Sequence, residues 1–246
     1  MADARDPDPD PNHEGSRPRS PQQHYFTAEP DAPSARRRID VVLPDVRFHL
    51  ETDRGTFSPD RIDAGTKLLL LEDPLAGDRL AATGAAAGGG AAPTLVDLGC
   101  GYGPIALTLA RRHPYATVWA VDVNERALSL CRSNAAALGL TNVVVGRPDE
   151  LPAARCVTAV YSNPPIRVGK AALHELLARW GARLAPGGPL LLVVRRELGA
   201  DSLERWLAER DWAPRRLAAR AGYRVLEAVP RRTGMGSGGT APGGYL

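Results

Sequence analysis

Thr94-Leu95-Val96-Asp97-Leu98-Gly99-Cys100-Gly101-Tyr102-Gly103-Pro104 is the stretch that decides the fold. Its first residues are apolar or β-branched apart from Asp97, and they run into glycines at every second position closed by a proline. A strand that ends in glycines and opens a helix at Pro104 reads as the first turn of a βαβ unit, where backbone without side chains approaches a ligand closely. The alternation continues downstream, with a helix from Pro104 to Arg112, a strand from Thr117 to Val121, a helix from Glu125 to Leu138 stopped by Gly139, and a strand from Asn142 to Val145. Strand and helix in turn predict a parallel sheet with crossover helices.

Beyond it, Val157 to Tyr161 reads as a fourth strand entering Ser162-Asn163-Pro164-Pro165-Ile166-Arg167. From Lys170, Leu173, Leu176, Leu177, Trp180 and Leu184 recur at helical spacing and read as a core stripe. Pro186-Gly187-Gly188 then turns the chain into a strand from Leu190 to Val194. A helix from Ala200 to Arg210 precedes two short strands, Arg215 to Ala219 and Tyr223 to Val229, expected to form an antiparallel hairpin.

Upstream, residues 1–23 are rich in Asp, Pro, Arg and Ser and are expected to be disordered. Residues 24–75 form an N-terminal extension: a hairpin around Pro44-Asp45, from Ile39 to Leu43 and Val46 to Glu51, and a helix capped at Asp63 and carrying Leu68 to Leu71. This is expected to be a small attachment. Residues 76–92, almost wholly Ala and Gly, read as a flexible linker with a short helix as the alternative, 93–230 as the main domain, and 231–246 as a Gly-rich disordered tail.

With 246 residues, 43% hydrophobic and 24% charged, the chain has material for one α/β domain of ordinary size. Formal net charge is +3, and because Met1 to Gln23 carries −2 the remainder is +5. That permits a nucleic-acid partner without requiring one. Cys100, Cys131 and Cys156 are too few and too far apart for a disulfide framework or a metal site, so no metal and a reducing compartment are expected. There is no long apolar run and no apolar leader, which leads to the expectation of a cytoplasmic protein with no membrane partner.

A dinucleotide fingerprint would read Gly-x-Gly-x-x-Gly, whereas here an acid, Asp97, precedes glycines at alternate positions. An acid in that place repels a pyrophosphate and attracts a cation such as the amino group or sulfonium of S-adenosylmethionine. Asp122 closes the next strand, where such folds hold ribose hydroxyls with a carboxylate; capping the helix near Asn124 is its alternative role. In the Asn163 loop two prolines remove backbone donors, so carbonyls are left with nothing from their own loop to absorb them. The Asn163 amide oxygen adds a further acceptor. The cluster suits a planar –NH2 group, while a plain turn is the competing account.

Together these residues resemble a class I S-adenosylmethionine-dependent methyltransferase, and more narrowly the single-domain branch of the small-subunit ribosomal RNA guanine-N2 methyltransferases. The narrower likeness rests on His24-Tyr25-Phe26, Phe57-Ser58, Asp63-x-Gly65-Thr66, the Asp97 loop, Asn163-Pro164-Pro165-Ile166-Arg167-x-Gly169-Lys170 and Gly222-Tyr223-Arg224-Val225-Leu226. The resemblance implies a Rossmann-like, seven-stranded sheet with a short N-terminal β extension, S-adenosylmethionine as cofactor, and ribosomal RNA or the small ribosomal subunit as partner. Carried onto this chain, it implies cofactor contacts from Asp97, Gly99, Cys100, Gly101, Gly103, Asp122, Val123, Asp149 and Asn163, with Asp149 at the adenine edge. Asn163, Pro164 and Pro165 would be catalytic, and Ile166, Arg167 and Lys170 would bind substrate. Many amine methyltransferases place Phe or Tyr after the two prolines, whereas this chain has Ile166, so stacking must come from elsewhere or be weaker. The mechanism implied is that Asn163 Oδ1 and the Pro164 carbonyl accept the two N–H bonds of the acceptor amine. A glutamine-N5 or small-molecule amine acceptor is the rival, and a non-catalytic RNA-binding assembly factor the rival from another class.

Overall fold

Side chains apolar on both faces make the central strands. All of β3 (Thr94–Leu98) and β6 (Ala159–Ser162) and all but the last residue of β7 (Leu190–Arg195) are buried, the pattern of strands covered by helices on both sides. In the computed structural model, which describes residues 33–76, 80, 92–153 and 156–231 (the Arg167 side chain excepted), they join β4 (Thr117–Val121) and β5 (Val143–Gly146). With β8 (Trp212–Arg220) and β9 (Tyr223–Pro230), the seven-stranded sheet is ordered β5-β4-β3-β6-β7-β9-β8. The first five strands are parallel; β9 runs antiparallel to both β7 and β8. The final strands are longer than expected, and a register shift between Arg216 and Ala218 lets β8 follow the twist. The fourth strand begins two residues late, because Val157 bridges Leu184 instead of entering the ladder.

Strand alternation sends the core to two sides of the sheet. Leu191 and Val193 point with Leu95 and Tyr161 into one layer, while Leu190, Leu192 and Val194 point with Leu173, Leu177 and Trp180 of α4 (Lys170–Gly181) and Leu203 of α5 (Ala200–Ala208) into the other. The first layer is closed by α2 (Pro104–Arg112) and α3 (Glu125–Ala137). It is also closed by the N-terminal extension. Ile39 and Val41 of β1 (Arg37–Val42), Phe48 and Leu50 of β2 (Arg47–Thr52), and Leu68, Leu69 and Leu70 of α1 (Ala64–Leu71) belong to the same core as Leu95 and Tyr161.

The extension is therefore a wall of the domain and not the small attachment expected. Polar ties reinforce this: Arg112 donates to both carboxylate oxygens of Asp45 at 2.7 and 2.9 Å and to the Leu70 carbonyl at 2.9 Å, and Tyr161 Oη donates to buried Asp73 at 2.8 Å. Asn134 of α3 exchanges two bonds with the Glu51 backbone of β2, at 2.8 and 2.9 Å. The tails at 1–23 and 232–246, His24-Tyr25-Phe26 and most of the expected linker lie outside the described residues; Leu80, within the linker, is buried in the first core layer.

The chain leaves β3 for β4 and β5 on one side and returns to β6 on the other. The order reverses beside β3, which places the ligand crevice at the carboxyl ends of β3, β4 and β6.

Candidate active site

Those strand ends open into a cleft of about 560 Å³. Its floor is the glycine loop. Gly99 N and Cys100 N both donate to the Val121 carbonyl at 2.8 and 3.0 Å, and Gly101 N donates to Asp122 Oδ2 at 2.9 Å, so the loop after β3 is buckled onto the end of β4. Gly99 (φ 77°) and Gly101 (φ 57°) take left-handed backbone, and a Cβ on either would meet nothing within 4 Å. On the cleft floor that open space leaves bare backbone, a cradle a ligand can approach closely. Gly103 is different: it does not line the cleft, and a Cβ there would strike Cys131 Sγ at 2.7 Å, so its role is to let α2 close on α3.

The two acids part company. Asp122 lines the cleft, accepts from Gly101 N and from Asn124 N at 3.0 Å, and keeps lone pairs for hydroxyls; burial pushes its pKa up from the ordinary range. Capping of α3 falls to Asn124, whose Oδ1 accepts from Arg126 N and Ala127 N. Asp97, by contrast, is 0% exposed and does not line the cleft. Its Oδ2 accepts from Ala106 N in the first turn of α2 at 2.9 Å, its Oδ1 has no partner among the described residues, and burial pushes its pKa up to about 8. Asp97 thus stands behind the loop and not on the cleft wall, and desolvation in the core favours its neutral form.

Cys100 and Val123 do line the cleft, the first buried with its thiol kept protonated by burial, the second 40% exposed beside Asp122 as an apolar platform, with Pro148 close in sequence to the expected adenine contact. Asp149 is not there. Its side chain is 76% exposed, 4.0 Å from Arg147 Nε, and off the cleft wall, because the turn after β5 aims Pro148 inward instead.

At the acceptor end, Ser162 Oγ donates to the Leu98 carbonyl at 2.6 Å and fixes the end of β6 beside the glycine loop. Asn163 follows. Its Nδ2 donates to Asp63 Oδ2 at 2.9 Å and to Thr66 Oγ1 at 3.0 Å. A carboxylate has no hydrogen to give, so the NH2 end must face Asp63 and Oδ1 is what the side chain has left to offer. The prolines also depart from expectation. Pro164 O accepts from Ile166 N at 2.8 Å around Pro165 (φ −73°, ψ 74°), an inverse γ-turn, and Pro165 O accepts from Val168 N at 3.1 Å. The loop thus absorbs one lone pair of each carbonyl, and Pro164 O retains a second.

Ile166 lines the cleft, Arg167 stands in the short 3-10 turn Ile166–Val168 with its side chain outside the description, and Lys170 is exposed at the start of α4 away from the wall. In place of Lys170, the cleft wall carries Arg195, whose guanidinium lies 5.2 Å from the centre of the Tyr223 ring. Tyr223 Oη donates to Asp63 Oδ1 at 3.3 Å, and Phe57, 49% exposed, enters the cleft from the loop before α1. Phe57, Thr66 and Tyr223 stood in the sequence only as pieces of a resemblance, and the local pattern gave Asp63 a role only as a helix cap. Among the described residues no group of three or more His, Cys, Asp or Glu is placed to hold a metal ion, and no helix is long and apolar enough to cross a membrane.

The glycine cradle, the half-buried Asp122 and the apolar Val123 and Pro148 fit the amino-acid, ribose and adenine parts of S-adenosylmethionine. Comparison with known proteins agrees. Residues 47–227 match the family model described as methyltransferase small domain. The chain is 31% identical to uncharacterized protein YbxB of Bacillus subtilis (strain 168), over 84% of this chain and 98% of that one. It is 34% identical to ribosomal RNA small subunit methyltransferase C of Pseudomonas aeruginosa (strain LESB58), over 82% of this chain but 57% of that protein, so it spans little more than half the length of that relative. A solved T. thermophilus 16S rRNA N2 methyltransferase, in complex with AdoMet and guanosine, superposes with a TM-score of 0.66 at 27% identity, over 81% of this chain and 52% of that one.

Proposed function

The chain belongs to the methyltransferase small domain family, and from that footing we propose that it methylates the exocyclic N2 amine of a guanine in small-subunit ribosomal RNA. The observation that carries the reading is the polarity of the acceptor loop. Asn163 has spent both side-chain amide hydrogens on Asp63 and Thr66, and Pro164 has no N–H, so what the Asn163 side chain and Pro164 offer is acceptors only. Such a pair suits a neutral –NH2 group.

The chemistry follows. When bound, S-adenosylmethionine supplies a methyl group made electrophilic by its sulfonium. Gly99, Gly101, Asp122 and Val123 would hold it, with backbone at the amino-acid end, a carboxylate for hydroxyls and an apolar face for the ring. Guanine N2 is a poor nucleophile because its lone pair is delocalised into the ring. Asn163 Oδ1 and the free lone pair of Pro164 O would accept its two N–H bonds, draw the nitrogen toward tetrahedral geometry and stabilise the positive charge that grows on it. No strong base is needed, since the proton becomes acidic only after transfer.

The choice of guanine in ribosomal RNA is supported by the relatives named for small-subunit RNA methylation and by the solved structure that holds guanosine. Phe57 and Tyr223 offer flat surfaces that Ile166 does not. Since guanine amines are occupied in paired RNA, the target must be unpaired or turned out of its helix. Incubation with labelled S-adenosylmethionine and small subunits lacking the modification, followed by nucleoside analysis, should yield N2-methylguanosine. Label in N6-methyladenosine, or in a protein glutamine, would overturn the guanine reading while leaving the amine-acceptor loop intact.

A further inference from the structure

Asp63 accepts hydrogen bonds from three groups, two of them from distant parts of the chain. Its Oδ2 accepts from Thr66 N at 3.0 Å, capping α1, and from Asn163 Nδ2 at 2.9 Å; its Oδ1 accepts from Tyr223 Oη at 3.3 Å. Gly65 lets the Tyr223 ring come close, since a Cβ there would lie 2.6 Å from Cδ1 of that ring. The second amide hydrogen of Asn163 goes to Thr66 Oγ1 at 3.0 Å.

An asparagine side chain is nearly the same shape when its amide is turned by half a revolution, so shape alone does not say which end faces an acceptor amine. The turned form would be useless, because it would set NH2 against NH2. Thr66 does not choose between the two, since a hydroxyl donates as readily as it accepts. Asp63 does, because the turned amide would place oxygen against a half-buried carboxylate oxygen. We infer that Asp63 is the positioning residue that fixes the polarity of Asn163, and that its charge is the reason residue 163 must be an amide and not a carboxylate. The inference rests on the reading of Asn163 as the group that receives the acceptor amine. It adds that the receiving oxygen is set by the helix cap of the N-terminal extension.

This changes what a carboxylate at position 163 would do. On the sequence alone Asn163→Asp should outperform Asn163→Ala, because an acceptor is retained. In the structure the new carboxylate would face Asp63 at hydrogen-bond distance, and two carboxylates so placed do not both ionise. Either the pair separates and the acceptor loop loses its geometry, or a proton is held between them and the acceptor survives only in that protonated form. Exchanging the two residues should repair it in part, because an amide at 63 would then donate to a carboxylate at 163, which still presents an oxygen to the amine; the cap bond from Thr66 N is the cost, since one oxygen of Asp63 accepts both bonds.

The experiment compares the parent with Asp63→Asn, Asn163→Asp and the double exchange. Methyl transfer is followed under single turnover, with cofactor affinity by calorimetry. Asn163→Asp should lower the transfer rate by about 10²-fold, the scale of one lost preorganised partner, and Asp63→Asn by about tenfold with cofactor affinity within about threefold of the parent. The double exchange should recover part of the loss of Asn163→Asp, the missing cap bond from Thr66 N accounting for the remainder. A double variant no faster than Asn163→Asp, or an Asn163→Asp variant as fast as the parent, overturns the inference. A second measurement does not depend on activity. The side-chain amide signals missing from the ¹⁵N spectrum of Asn163→Ala identify Asn163, and their hydrogen exchange should accelerate about tenfold or more in Asp63→Ala; unchanged exchange also overturns the inference. If the parent methylates some acceptor other than guanine, the substrate reading fails by itself and the same rate comparison is made on that acceptor.

Discussion

At the scale of single residues, the two carboxylates of the cofactor region illustrate how environment divides like groups. Asp97 has an ordinary value of 3.8 and a folded value of about 8, so the folded protein holds a proton that the unfolded chain releases between those limits. A raised acid stabilises the fold fully below about pH 4, and that contribution is lost as pH rises through about 8. Asp97→Asn keeps an oxygen for Ala106 N and removes the titration. Its melting temperature should therefore fall less steeply than the parent's from pH 5 to 9 and exceed it at the alkaline end; a parallel pair of curves would show that Asp97 does not titrate as described. In calorimetry, Asp122→Ala should weaken S-adenosylmethionine more than Asp97→Asn does, because only Asp122 reaches the cleft. Asn163→Ala should keep cofactor affinity and melting temperature while transfer falls by about 10²–10³-fold. Transfer at the parental rate would reduce the Asn163 loop to a turn.

Among elements, α1 decides more than its eight residues suggest, because one end packs the core and the other caps the acceptor site. Leu69 is fully buried between these ends. Leu69→Ala should cost about 2–5 kcal/mol in urea unfolding, as expected for a core leucine whose cavity does not collapse. A loss below about 0.5 kcal/mol would mean that the extension is a loose attachment after all. The contact of α2 with the hairpin adds an ion pair to the shared apolar core. The Arg112 side chain is 8% exposed and bonds Asp45 and fully buried Asp73, so Arg112→Ala leaves Asp73 with Tyr161 Oη but no cation. A destabilisation of about 3–5 kcal/mol is expected from breaking such a buried pair.

Over the whole molecule, removal of residues 1–23 and 232–246 is expected to leave melting temperature and cofactor affinity nearly unchanged, since neither stretch carries a periodic apolar pattern; a large loss in either would give those ends a structural role. Arg231 is kept because its N–H donates to Asp211 O at 2.6 Å. The sequence by itself determined the order of strands and helices, the glycine loop at the end of β3 and the asparagine-proline loop at the end of β6. These are local properties, written in apolar spacing and turn chemistry within about a dozen residues. Tertiary structure alone decided which groups meet. It turned Asp97 into the core and Asp122 into the cleft, left Asp149 and Lys170 off the wall, and brought Arg195 and Tyr223 onto it. It also set Asp63 against Asn163 across 100 residues of chain, a pairing no local pattern carries, because the packing of α1 over the sheet creates it.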